Sequence, residues 1–393
     1  GTASGATLLL GSEDSTGVGS TFSTTLYTGN GGTQTITNGI DLAGDGGMVW
    51  GKIRSAVDNH WIVDSENGIG SNGTYNYLEP SLTTALRNFG DRSVKTFNSN
   101  GFTLANSTND QFNLSSATYV SWTFKKKAKF FDIVTWTGDN APNRQISHSL
   151  NTTIGSVFVK CTSASSTDWM VYHKDSTETS TQSNSLVLNH NYALLDWGAF
   201  GKHSTQTSSV FTLGSATNNH REFFNESGST YVAYLFAHDT DASSLIQCGT
   251  CSGESGSNRT INLGWEPQWL LTKSVDASGD WTIVDTQRGF TSVGGSGNSA
   301  RLKANSSVAE DTTDGTQKSS TGFYVNGLGG SGNYIYMAIR NSSIPTITYD
   351  PNLQWSGGTA PTLPATGEKD VITFNTTDGG TTYKSALALD GAK

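Results

Sequence analysis

The chain has 393 residues, with 24 Lys+Arg against 33 Asp+Glu and a formal net charge of −9. That balance argues against general nucleic-acid binding, which draws on Lys and Arg to release counterions, and no run of about 18 apolar residues exists to cross a membrane as a helix. With 15% charged residues, 10% aromatics and 45 glycines, the composition is not that of a charged, aromatic-poor disordered chain; aromatic strands joined by Gly- and Asn-rich turns predict an all-β protein.

The opening "GTASGATLLLG" lacks a basic region, and its apolar run is too short for a signal peptide. It is read as an N-terminal segment, 1–20. Three stretches then share one order of landmarks. "MVWGKIRSAVDNHWIVDS" leads to "GFTL" and "TYVSWTF"; "SVFVKCTSASSTDWMVYHK" to "VFTL" and "TYVAYLF"; "QWLLTKSVDASGDWTIVDTQRGF" to "GFYV" and "NYIYMAI". Lys52, Lys160 and Lys273 are 108 and 113 residues apart, and Trp61, Trp169 and Trp281 are 108 and 112 apart. Phe102, Phe211 and Phe323, and Tyr119, Tyr231 and Tyr334, keep the same order. A period of about 110 suits a whole small β domain. The expectation is three tandem, independently packed β-sandwich (jelly-roll-like) repeats at 21–127, 128–240 and 241–340, joined by short seams into an extended rod.

Within each repeat "SVFVK" (156–160) alternates with period 2, as a half-buried strand does. "TYVAYLF" is apolar on both faces and predicts a strand covered on both sides. The basic run in "WTFKKKAKFF" (122–131) falls between the last strand of the first repeat and the first strand of the second. Its lysines are read as a solvated edge or hinge at a domain junction, with a phosphate or lipid contact as the alternative. After Arg340 four of the seven prolines crowd into 20 residues, before "VITFNT" turns through "TDGG" to "TTYKS". The segment 341–393 is therefore a Pro-rich connector with a short C-terminal β-hairpin module. "TTDGGTTY" (376–383) resembles the Asp-box hairpin of sialidase-type propellers; one copy makes no propeller.

Cys248 and Cys251 form a single "CGTC" and Cys161 stands alone. A zinc ribbon needs a second pair, so these are read as buried or incidental thiols, with no metal and no cofactor. The seven histidines show no ligand spacing. Paired carboxylates for glycoside cleavage have only scattered candidates, Asp64, Asp168, Glu266 and Asp285, and no catalytic residue is assigned. Trp61, Trp169 and Trp281 recur and read as core markers with Tyr119, Tyr231 and Tyr334. Trp197 lies in an apolar-aromatic insert, "NYALLDWGAFGK" (191–202), that the other repeats match poorly. Tyr192, Trp197 and Phe200 of this insert, with Tyr75 and Tyr77 of "NGTYNYLEP", are candidate binding aromatics; packing between subunits or repeats is the alternative.

"TYVSWTFKKKAKFFDIVTWTG", "TSSVFTLGSATN", "TYVAYLFAHD", "NLGWEPQWLLTKSVDASGDWTIVDTQRGF" and "NYIYMAIR" resemble an uncharacterised repeat domain of tailed-phage virion proteins, common in marine and cyanobacterial phages and often labelled tail fibre or structural protein. "YDPNLQWSGGTAPTLPATGEKDVITFNTTDGGTTY" is similar to a C-terminal β module of phage fibres. The resemblance covers the chain from about residue 20. It implies a β-rich component of the virion surface, trimeric, partnered by copies of itself and other virion proteins, with no catalytic residues to carry over. The expected function is a tail-fibre or appendage adhesin that binds a host-surface glycan or protein without chemistry. A head decoration or other purely structural virion protein is the first alternative, a glycan depolymerase the second.

Overall fold

The computed structural model describes residues 4–11, 17–88, 90, 92–106, 111–180, 183–215, 220–241, 243–252, 259–295, 297–325, 332–342, 353–355, 369–376 and 383–392. They are nearly all β, in several sheets of which none is closed. Helix among them is limited to one four-residue turn, Leu42–Asp45, and three short 3-10 turns. Two compact units result: Ser20–Asn341, and Gly1–Gly19 together with Ser342–Lys393.

In the larger unit one strand order occurs three times. The first sheet runs Phe22–Thr28, Thr118–Lys125, Gly47–Ile53, Trp61–Asp64, Tyr77–Leu78. The second runs Phe131–Thr137, Thr230–Ala237, Ile154–Cys161, Met170–His173, Ser183–Val187, Leu195–Phe200. The third runs Ile246–Ser252, Asn333–Arg340, Pro267–Ser274, Thr282–Asp285, Ser299–Lys303, Asp311–Asp314. Register matches as well as order. Met48, Ser156 and Trp269 each face Asp64, His173 and Asp285 on one side and Phe124, Phe236 and Ile339 on the other. A small sheet accompanies each large one: Gln34–Thr37, Gly101–Leu104 and Val94–Asn98 in the first segment; Gln145–Ser147 and Val210–Thr212 in the second; Arg259–Asn262, Gly322–Val325 and Gln317–Ser319 in the third.

Alternation along each strand sends neighbouring side chains to opposite faces. One face of the first sheet packs on its small sheet, where Val49, Trp61, Val63 and Tyr119 meet Ile36, Phe102 and Leu104. The third segment repeats this with Leu270, Val284 and Ala338 against Phe323. The other faces meet one another. Phe124 of the first segment lies 5.7 Å from Phe236 of the second and 6.0 Å from Trp269 of the third. Phe158 of the second lies 6.2 Å from Trp281 of the third.

The expected rod of independently packed repeats therefore gives way to one compact unit with a shared aromatic centre. The reason was present in the strands themselves. Thr230–Ala237 is buried from Tyr231 onward on both faces, and the small sheet covers only one of them. An apolar face of that size must find a second cover, and the other two segments supply it.

The insert around Trp197 is an edge strand, Leu195–Phe200, of the second sheet, and the third sheet has its counterpart in Asp311–Asp314. The basic run makes the turn between two segments as expected, and three of its four lysines meet acids, Lys127 donating instead to the Thr21 hydroxyl at 3.2 Å. Lys125 pairs with Asp45 at 2.6 Å, Lys126 with Glu66 at 2.7 Å, and Lys129 with Asp239 at 3.9 Å. In the smaller unit, Lys369–Thr376 pairs antiparallel with Tyr383–Ala392, as the hairpin reading requires; its turn lies outside the described residues. Ser4–Gly11 pairs with the same strand, Lys369–Thr376, from its other side.

Candidate functional site

The three segments meet in three seams, and the seams close a ring. The Leu86 N–H of the first segment donates to Thr162 O of the second, Leu194 N–H of the second to Val275 O of the third, and Glu310 N–H of the third to Arg54 O of the first, each at 3.0 Å. Head-to-tail contacts with one geometry close a ring when the rotation allows it, and three steps suffice here. The same register recurs in the side chains. Trp169 Nε1 donates to Glu79 O at 3.1 Å and Trp281 Nε1 to Val187 O at 2.9 Å. At the third seam His60 Nε2 takes the role, 3.1 Å from Lys303 O.

His60, not Trp61, is thus the counterpart of Trp169 and Trp281. Trp61 sits one residue further along, turned to the opposite face. It packs on Phe112 at 4.8 Å in the first segment's own core, with its ring laid over Gly51. The equal-register reading of the three tryptophans is corrected accordingly. Tyr119 and Tyr231 do keep register: each hydroxyl accepts the backbone N–H five residues earlier, at 2.8 and 2.9 Å. Tyr334 holds the same place opposite Lys273's strand.

Lys52, Lys160 and Lys273 are also equivalent, and all three are fully buried. Their ammonium groups cap backbone carbonyls: Ile53 O at 2.6 Å, Thr167 O at 2.8 Å and Ser274 O at 2.5 Å respectively. Burial lowers each of them to about 8, since the charged form loses water without gaining a counter-charge in contact.

Where the segments differ is more informative than where they agree. The strand-end position carries Asp64, His173 and Asp285. Asp64 accepts the Tyr234 hydroxyl at 2.7 Å across the first seam, and burial raises its carboxyl, partly offset by Asn67 and Tyr234. His173 Nε2 donates to Tyr336 O at 3.2 Å across the second seam, while Nδ1 accepts Asp175 N–H; burial lowers the imidazole to about 4. Asp285 accepts Trp122 Nε1 at 2.9 Å across the third seam and pairs with the buried Arg288 at 2.6 Å. Arg288 lies 5.3 Å over the Trp122 ring and reaches Glu310 at 3.3 Å, which also holds Arg54 at 2.7 Å. Leu86 and Leu194 stand where Glu310 does. The seam that no short connection tethers is thus the ionic one.

At the second seam the segment 190–194 crosses the 274–280 turn, with Gly279 N–H donating to Asn191 O at 2.8 Å, as Asp58 N–H donates to Ser307 O at 2.9 Å at the third; what differs is what flanks the crossing. Leu194 enters a cleft of about 330 Å³ shared with Asp175, Thr177, Val275, Asp276 and Asn333 among others. Gly279, the partner of Asn191, enters a second of about 200 Å³ formed by third-segment residues, with Asp280, Arg301, Thr313 and Tyr334. Tyr192, in the chain between Asn191 and Leu194, is 40% exposed and stacks on His190 at 4.5 Å and 10°; His190 Nε2 lies 3.2 Å from Asp168. The equivalent positions at the other seams carry Thr84 and Val308. Three of the clefts' charges are matched, Asp175 by Lys174 at 2.7 Å, Asp280 by Lys303 at 2.8 Å and Arg301 by Asp311 at 2.8 Å, while Asp276 and Asp314 pair with no cation among the described residues. Asp276 accepts both nitrogens of Asn333 at 2.8 Å. Against the upward push of burial, Lys303 and Asn305 hold the Asp280 carboxyl below the usual range.

Of the aromatics singled out in the sequence, Tyr192 occupies this seam. Trp197 stacks elsewhere, on His220 at 4.9 Å and Phe223 at 5.5 Å, half-buried. Phe200 and Tyr77 are buried in the interior, so neither presents a binding face. Tyr75 lies on Phe97 at 4.4 Å against the first core. The scattered acids are not brought together: Glu266 pairs with Lys318 at 2.7 Å, Asp168 receives Asn189 at 2.7 Å, and Asp64 and Asp285 serve different seams. The three cysteines form no disulfide and are buried, and burial pushes the Cys248 thiol far up, away from thiolate chemistry. No group of three or more His, Cys, Asp or Glu suited to a metal occurs among the described residues.

Residues 18–343 match the family model of a domain of unknown function, DUF7483, and the chain belongs to that family. A comparison with curated proteins returns no match.

Proposed function

We propose that this chain is a surface component of a tailed-phage virion, a tail-fibre or appendage adhesin that binds the host cell without chemistry. In this reading Ser20–Asn341 consists of three β-sandwich modules arranged as a closed ring. One observation carries it. The residues that recur around the ring are consumed by the fold, whereas at this position the second seam alone carries an exposed aromatic, Tyr192, on the segment whose Leu194 lines a mixed polar and apolar cleft. Such a feature contributes nothing to closing the ring, because the backbone bond of Leu194 already does so. Surface aromatics beside polar groups suit recognition.

The same geometry weighs against the depolymerase alternative. Glycoside cleavage needs an acid with a raised pKa facing the bond. Asp64 has the raised carboxyl, but it is sealed in the first seam under Tyr234. Asp280, at the cleft, is held low. Association of copies, which the resemblance implies as a trimer, would multiply weak contacts through avidity, by roughly 10²–10⁴. The test is twofold. Labelled antibody against Ser20–Asn341 is expected on the tail or its appendages in particle images, and light scattering is expected to give the mass of three chains. Label confined to the head would favour decoration and overturn the adhesin.

A further inference from the structure

Resting on the adhesin reading, we propose that the seam between the second and third modules is a glycan subsite for a neutral, hydroxyl-rich oligosaccharide, with Tyr192 as the platform for one sugar ring. Three observations point there together. Threefold self-comparison acts as an internal control: the positions equivalent to Tyr192 are Thr84 and Val308, so an aromatic there is not demanded by the fold. The platform is fixed in advance, since Tyr192 stacks on His190 and His190 is held by Asp168. A rigid aromatic face loses little freedom when a ligand covers it. Finally, the clefts reached by the same segment, one through Leu194 and one through the Asn191 contact to Gly279, offer hydroxyls, amides and carboxylate oxygens beside small apolar surfaces such as Leu194 and Val275.

The charge state of the ligand follows from the pairing. Lys174, Lys303 and Asp311 neutralise the charged groups Asp175, Asp280 and Arg301. A phosphorylated or uronic ligand would find no unmatched cation in either cleft, whereas Asp276 and Asp314 accept N–H groups of Asn333 and Thr316 and pair with no cation among the described residues, so an amino sugar is the comparator that tests neutrality. Sugar hydroxyls both donate and accept, so they can share oxygens already engaged with a cation. The C–H faces of a pyranose suit the exposed ring of Tyr192.

The experiment uses the full chain. A panel of neutral hexose and N-acetylhexosamine tetrasaccharides, with uronate, phosphate-bearing and amino-sugar comparators, is titrated by calorimetry, and adsorption to marine bacterial and cyanobacterial cells is scored in parallel. The expected result is a neutral tetrasaccharide bound by the wild type, weakened at least tenfold by Tyr192→Ala and unchanged by Thr84→Ala and Trp197→Ala. Cell adsorption should fall with it. Retained binding in Tyr192→Ala overturns the subsite, and loss in Trp197→Ala alone would transfer it to the other aromatic stack. Binding of charged sugars only overturns the ligand class. Cell adsorption by the wild type with no sugar bound overturns the glycan and leaves the adhesin standing; neither activity overturns both.

Discussion

Replacing Arg288 with Met tests whether the third seam is held by its buried ions. Arg288 is fully buried, bonded through Nε to Asp285 at 2.6 Å, through a terminal nitrogen to Ile283 O at 3.0 Å, and placed over Trp122. Met fills much of the volume but removes the charge. Asp285 then retains Trp122 Nε1 and a backbone N–H, yet it is a buried carboxylate without a cation. Breaking a buried pair by removing one partner costs about 3–5 kcal/mol, because the remaining charge stays desolvated. The partner change Asp285→Asn should cost a similar amount. In the double variant neither charge remains, so the combined loss should fall short of the sum by about 2 kcal/mol or more. Urea unfolding of the four proteins, followed by tryptophan fluorescence, gives the cycle. A loss below about 1 kcal/mol for Arg288→Met, or strict additivity, would refute the reasoning.

Three further outcomes follow from the same geometry. His173 titrates near 4 folded against 6.5 free, and burial with the Lys52 charge places His60 well below 6.5. The unfolded chain therefore binds more protons between these values, and stability should fall as pH drops from 6.5 towards 4; His173→Gln should flatten that slope in urea midpoints. The three buried lysines, near 8 folded against about 10.4 free, act at the other end. Stability should rise from pH 8 to 9.5, before tyrosine ionisation in the unfolded chain reverses the trend, and Lys273→Met should reduce the rise. Gly51→Ala would place a methyl 2.0 Å from the Trp61 ring, so it should destabilise by about 1–3 kcal/mol as an overpacked core does. A thermal midpoint unchanged from wild type would show that the ring has room to move.

Much of this fold is legible in the sequence because its structural residues repeat. Lys52, Lys160 and Lys273, like Tyr119 and Tyr231, were found from spacing alone and share one structural register. Trp61 misled because Trp is an equally good residue for the core face and for the seam face. The stretch from lysine to the seam residue is eight residues in the first and third segments and nine in the second, so Trp61, nine from Lys52, matches the spacing of Trp169 and takes the place of His60. The ring itself was not legible. Its decisive contacts join residues far apart in the chain, such as Trp122 with Asp285 and Tyr234 with Asp64. Nothing in local periodicity says which distant face covers an apolar one. Double-sided burial of the last strand was readable, but its consequence, three segments sharing a centre, needs the third dimension. Of the candidate aromatics, exposure separates Tyr192 from Phe200 and Tyr77, and that too is a tertiary property.

Carrying the ring on one chain has a consequence that an assembly of three identical chains would not share. In a symmetric trimer any residue placed at a seam appears three times, so a feature useful once must be tolerated at every interface. Here the three seams evolve separately. The seam without a short connection can recruit Arg54, Arg288, Asp285 and Glu310, whose buried charges discriminate sharply against a mismatched partner. The seams joined by short turns manage with Leu86 and Leu194 at the same position, since the connection already holds the partners near each other. The second seam is then relieved of specifying assembly. It can carry Tyr192 where the others carry Thr84 and Val308, beside the cleft that Leu194 lines. If recognition resides there, swapping Tyr192 and Thr84 should move sugar binding little towards the first seam, because the flanking clefts do not move with the ring.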